Sequence, residues 1–105
     1  MYDPDNHVEV CNIEDIPDDK LMPVNIEGEE LMVVKIDGKY IVSSRICSHK
    51  YYDLTKGHFA DGYVTCMLHT SIFEVESGEP QNPPAIETLQ TYETLVKDGK
   101  LYIKI

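Results

Sequence analysis

Apolar and β-branched residues come in short runs broken by turn residues, and no stretch holds the roughly 3.6-residue period of a long amphipathic helix. The pattern predicts an all-β, antiparallel fold. "LMVVKI" (31–36), "DGK" and "YIVS" (40–43) read as a hairpin, because Asp37-Gly38 supplies the positive φ angles of a tight two-residue turn. The end of the chain repeats the device, with "TYETLV" (91–96), a turn at Asp98-Gly99, and "LYIKI" (101–105). Val8 to Ile13 predicts a first strand, and the "DIPDD" after it a loop.

Between the hairpins, from about Arg45 to Ala85, the chain is richer in Gly, Pro, Cys and His. It carries a shorter strand pair of its own, "GYVTCM" followed by "SIFEVES". This reads as a subdomain of about 45–85 inserted into a β scaffold, within a single domain of residues 1–105. "NPPA" (82–85) is excluded from a central strand because prolines lack the N–H donor, so a rigid loop is expected there.

A chain of 105 residues has a modest core, and at that size a bound metal can be part of what makes it fold. Nine basic against nineteen acidic residues give a net charge of −10, which argues against nucleic acid and anionic membrane surfaces as partners. Ten of the nineteen acidic residues lie between Met1 and Glu30, whereas Ser43 to Thr70 is nearly neutral. A solvated acidic face, available to steer basic partners, is the expected use. "MYDPDNHVEV" lacks the basic and apolar regions of a signal sequence, and no window approaches the ~20 apolar residues of a membrane span. The expected location is the cytoplasm, where thiols stay reduced; an odd count of three cysteines agrees with that. High like charge favours a monomer.

The candidate chemistry lies in "CSHKYYDLTKGHFADGYVTCMLH" (47–69). Cys47 and His49 form C-x-H, Cys66 and His69 form C-x-x-H, and sixteen residues separate the pairs. A catalytic Cys-His pair needs one thiolate and one base, so two equivalent pairs exceed that chemistry. A structural zinc site accepts two cysteines and two histidines, although zinc spacing usually groups like with like. A Rieske [2Fe–2S] centre, where two histidines replace two cysteines on one iron, uses mixed pairs directly.

These motifs, with "SIFEVESGEP" and a proline loop after them, resemble the soluble Rieske-type ferredoxins of bacterial and archaeal oxygenase systems. The resemblance runs from "VEVCNIEDIP" to "DGKLYIKI". It implies that Cys47 and Cys66 bind one iron as thiolates and His49 and His69 bind the other. With two thiolates the oxidised cluster is neutral, whereas four would make it a dianion, so histidine ligation eases reduction and raises the potential. The added electron is expected on the histidine-bound iron.

Membrane-bound members of the family add two cysteines that bridge the cluster loops; the matching positions here are Tyr52 and Leu68. Of the Ser and Tyr hydroxyls that hydrogen-bond the cluster in those members, Ser71 matches the first, and Phe73 replaces the second. One donor fewer implies a potential in the lower half of the Rieske range. Pro83 and Pro84 match the proline loop that covers the cluster. Met67 and Thr70 stand where the family often has Pro and Gly, so a different shape is expected for the second loop. Cys11 reads as a small buried hydrophobe, and His7 and His58 as surface or loop residues.

The function implied is one-electron transfer between a flavin-dependent reductase and an oxygenase or hydroxylase terminal component, with no catalytic site in the chain itself. Two alternatives stand beside it: a zinc-stabilised binding module, and a small Rieske subunit or redox sensor of a larger oxidoreductase.

Overall fold

The computed structural model describes residues 6–47, 51–67, 70–82 and 87–104. Among them the chain forms ten strands: β1 (His7–Asn12), β2 (Met22–Ile26), β3 (Glu29–Ile36), β4 (Lys39–Ser44), β5 (His58–Ala60), β6 (Tyr63–Cys66), β7 (Ser71–Glu74), β8 (Thr91–Tyr92), β9 (Thr94–Lys97) and β10 (Lys100–Lys104). They build three antiparallel sheets, ordered β1-β10-β9, β2-β3-β4-β8 and β5-β6-β7.

Tight turns of an acidic residue followed by glycine set the local topology. Glu27-Gly28, Asp37-Gly38, Asp61-Gly62 and Asp98-Gly99 all have positive φ at both positions, from 50° at Glu27 to 84° at Gly28 and Gly62. That is the geometry whose twist matches the flanking strands of a two-residue hairpin. These turns join β2 to β3, β3 to β4, β5 to β6 and β9 to β10.

The structure corrects the strand pattern in three places. "TYETLV" is two strands: Thr91 and Tyr92 pair with Ser43 and Val42 of β4, whereas Thr94–Lys97 pairs with β10. The chain changes sheets at Glu93, whose carbonyl accepts the Lys104 N–H at 3.0 Å. The second unexpected element is β2, which carries Pro23 and lies at the edge of its sheet, where a missing N–H costs no ladder bond. The third is the three-residue β5. His58 is a surface residue as expected, exposed on β5, and His7 is half-buried on β1.

β3 explains why the molecule has two cores. Leu31 and Val33 pack on one side with Val42, Leu101, Ile103 and Ile16. Met32 and Val34 pack on the other with Leu54, Val64, Phe73, Val75, Leu89 and both Cys47 and Cys66. Side chains alternate across a strand, so an unbroken apolar run fits a strand covered on both faces. All four β3 residues are at most 1% exposed, and burying each contributes about 1.5–3 kcal/mol. The second core joins the scaffold to the sheet that bears Cys66.

Candidate metal centre

Cys47 follows the end of β4, and its N–H donates to the Tyr52 carbonyl at 3.0 Å. One residue further out, Ile46 pairs with Asp53, and the Leu54 N–H donates to the Arg45 carbonyl at 2.6 Å. Cys47 thus stands at the end of a short antiparallel ladder. Cys66 is placed alike: it ends β6 and stands opposite Ser71, the first residue of β7. Cys47 is 5% exposed and Cys66 0%, neither is disulfide-bonded, and both pack in the same apolar cluster.

The 3-10 turn beyond the first ladder packs against β6, the strand that ends at Cys66. After the 3-10 turn Leu54–Lys56, Gly57 passes so close to β6 that a Cβ there would collide with the Thr65 carbonyl. Glycine is required by that approach, one residue before Cys66. Behind the second loop, the segment after β7 folds back along it: Phe73 pairs with Pro80, and the Gln81 N–H donates to the Ile72 carbonyl at 2.7 Å. Asn82 then closes on the loop base. Its side-chain oxygen accepts the Ile72 N–H at 2.7 Å, and its amide nitrogen donates to the Thr70 carbonyl at 3.0 Å.

Thr70 has φ +56°, the left-handed conformation that glycine adopts without cost. A Cβ at this position carries a strain that glycine would not, and Asn82 holds the Thr70 carbonyl in place.

Arg45 is the residue whose importance the sequence conceals. Its guanidinium is buried and donates to the carbonyls of Val24 at 2.7 Å and Leu31 at 3.0 Å, to the Asn25 side-chain oxygen at 3.1 Å, and from Nε to Asp53 at 3.1 Å. Glu30 lies 3.6 Å from the same head group. Asp53 also accepts the Thr55 N–H at 2.9 Å and hydroxyl at 2.6 Å, capping the 3-10 turn. Burial disfavours the Asp53 carboxylate, but the Thr55 hydrogen bonds and Arg45 outweigh it and hold its pKa below the usual value.

Of the other sequence candidates, Ser71 and Phe73 are both fully buried, and Phe73 is a core residue. Cys11 is half-buried on β1 beside the first core; burial, then Asp15 and Glu9, push its thiol pKa up, which favours the inert protonated form. His49, His69, Pro83, Pro84 and Leu68 lie outside the described residues. Beside the loops, Tyr51 and Met67 are exposed, and the Tyr51 hydroxyl donates to Glu30 at 2.8 Å. A groove of about 520 Å³ between the β2–β3 turn and β8, lined in part by Ile26, Leu31, Tyr92 and Ile103, includes none of the candidate ligands. Among the described residues no helix is long and apolar enough to cross a membrane.

Two buried thiols in one apolar cluster, each at the base of its own loop, suit a pair of sulfur ligands to one metal centre. A family model for the Rieske [2Fe-2S] domain matches residues 6–93. The chain belongs to the Rieske [2Fe–2S] domain family. It is 32% identical over 97 residues to the 3-phenylpropionate/cinnamic acid dioxygenase ferredoxin subunit of Photorhabdus laumondii, covering 91% of each chain. Its fold is similar to that of a ferredoxin from Sphingomonas yanoikuyae B1, with TM-score 0.86 and 25% identity over 95% of this chain and 99% of the other. It is similar, too, to a chain in a complex of reduced oxygenase and oxidised ferredoxin in carbazole 1,9a-dioxygenase, with TM-score 0.83 and 25% identity over 93% and 92% of the two chains. The Rieske fold, a [2Fe–2S] cofactor and a role in electron transport rather than catalysis follow for this chain.

Proposed function

We propose that this Rieske ferredoxin carries single electrons from a flavin-dependent reductase to an oxygenase or hydroxylase terminal component, as a cytoplasmic monomer. In this reading residues 45–85 are the cluster-binding unit, Cys47 and Cys66 ligate one iron, and His49 and His69 ligate the other. Ser71 supplies a hydroxyl toward the cluster, and Pro83 begins the covering loop. The bound cluster supplies a one-electron couple; the protein's part is to hold its ligands rigidly and to exclude water. The observation that carries the reading is the burial of Cys47 and Cys66 in one apolar cluster, each at the end of a short antiparallel ladder.

The exposed Tyr51 and Met67 beside those loops suit a contact surface for the partner's redox centre, and the net charge of −10 suits steering of a basic partner. Two experiments test the reading. Single alanine variants of Cys47, His49, Cys66 and His69 are expected to lose iron and sulfide together; a variant that keeps both at wild-type level removes its residue from the ligand set. Stopped-flow mixing of the reduced protein with an oxidised oxygenase component should give rapid reoxidation that slows as salt is raised. Reoxidation no faster than the background rate would contradict the carrier role.

A further inference from the structure

The first loop is anchored by a buried charged group that no ligand motif includes. Arg45 lies two residues before Cys47 and uses its whole guanidinium on three segments: β2 through Val24 and Asn25, β3 through Glu30 and Leu31, and Asp53. Asp53 lies one residue beyond Tyr52, the partner that closes the loop. The Arg45–Asp53 contact at 3.1 Å therefore spans the ladder at the loop's base, while the Val24 and Leu31 carbonyls fix that ladder to the scaffold. Arg45 is the more rigid choice for this task than Lys, since its planar fork makes several hydrogen bonds at fixed angles.

We infer that Arg45 and Asp53 are positioning residues of the metal centre, which together hold the Cys47 loop and set the reduction potential with opposite signs. The inference rests on the ligand set proposed above. Two consequences follow from charge alone. Reduction adds a negative charge close to the loop, so a nearby cation favours the reduced state and a nearby anion the oxidised one. The site is poorly screened, because the Arg45 and Asp53 side chains are only 10% and 21% exposed. Removing the Arg45 charge leaves Asp53 and Glu30 uncompensated and lowers the potential; removing the Asp53 charge raises it.

The test is a redox titration of the holoprotein and of Arg45→Gln, Asp53→Asn and Arg45→Lys, with iron and sulfide content and EPR g values recorded for each. Expected are a downward shift for Arg45→Gln and an upward shift for Asp53→Asn, with g values unchanged. Arg45→Lys keeps the charge and loses the fork, so it should titrate near wild type yet lose its cluster several-fold faster on standing. Shifts in the same direction, or none, would reduce the pair to ordinary structural support and overturn the inference. So would an Arg45→Lys protein that holds its cluster as long as wild type. If Arg45→Gln cannot hold a cluster, the sign for Asp53→Asn decides, and a downward or absent shift overturns the claim. A wild-type protein without the rhombic EPR signal of a histidine-ligated cluster would instead refute the ligand set, before any variant is compared.

Discussion

The N–H of Cys47 donates to the carbonyl of Tyr52 at 3.0 Å, and this bond closes the segment from Cys47 to Tyr52 at its two ends. Cys66 and Ser71 close the second segment at the same sequence separation. Two closures of equal length, each beginning at a cysteine of the same apolar cluster, can each present a sulfur from a fixed base. The residues that lock those bases are the ones whose replacement is most informative.

Asn82 fastens the second base through two hydrogen bonds. Asn82→Ala leaves the Ile72 N–H without its acceptor, at a cost of about 1–2 kcal/mol. Denaturant unfolding should show that loss, and hydrogen exchange should accelerate at the Ile72 amide more than at amides of β3. Equal acceleration throughout would mean that Asn82 supports the whole fold and not this loop.

Thr70 holds a left-handed backbone with a β-branched side chain, at an expected cost of about 1–2 kcal/mol. Thr70→Gly relieves it and gives back about 0.5–1 kcal/mol through greater freedom of the unfolded chain. A net gain of about 0.5–1 kcal/mol is expected in the unfolding free energy. A loss of stability would show that the Thr70 side chain contributes more than its backbone costs.

Asp53 makes stability depend on acid. Its pKa is depressed from the ordinary 3.8, so the folded state favours the charged carboxylate. The contribution is complete above the unfolded value and disappears as pH falls through the folded one. The stability difference between wild type and Asp53→Asn should therefore be largest near neutral pH and shrink below about pH 4. A difference independent of pH would assign the effect to packing.

Ser71 is fully buried at the start of β7, opposite Cys66. If its hydroxyl serves the cluster, Ser71→Ala removes a donor that favours the reduced state, and the midpoint potential falls with the g values unchanged. An unchanged potential would make Ser71 a packing residue like Phe73.

Much of this was legible because it is local. The C-x-H and C-x-x-H spacing that points to the Rieske family needs no tertiary knowledge, and Asp37-Gly38 and Asp98-Gly99 announce their turns within two residues. Glu27-Gly28 and Asp61-Gly62 carry the same signal but flank a Pro-containing edge strand and a three-residue strand, which read poorly as β. The break in "TYETLV" depends on which sheet captures each half, a non-local choice. Arg45 and Asn82 were hidden for a related reason. Several of their partners are backbone groups, and those of Arg45 include carbonyls more than ten residues away, which no side-chain pattern records.

The most direct test of the central claim is the visible absorption and low-temperature EPR of the purified protein before and after anaerobic dithionite. A red-brown protein whose reduced form gives a rhombic signal with a low average g is the predicted result, since it reports a [2Fe–2S] cluster with histidine on one iron. A colourless, EPR-silent protein that contains one zinc, holds no sulfide and resists cluster reconstitution would contradict it.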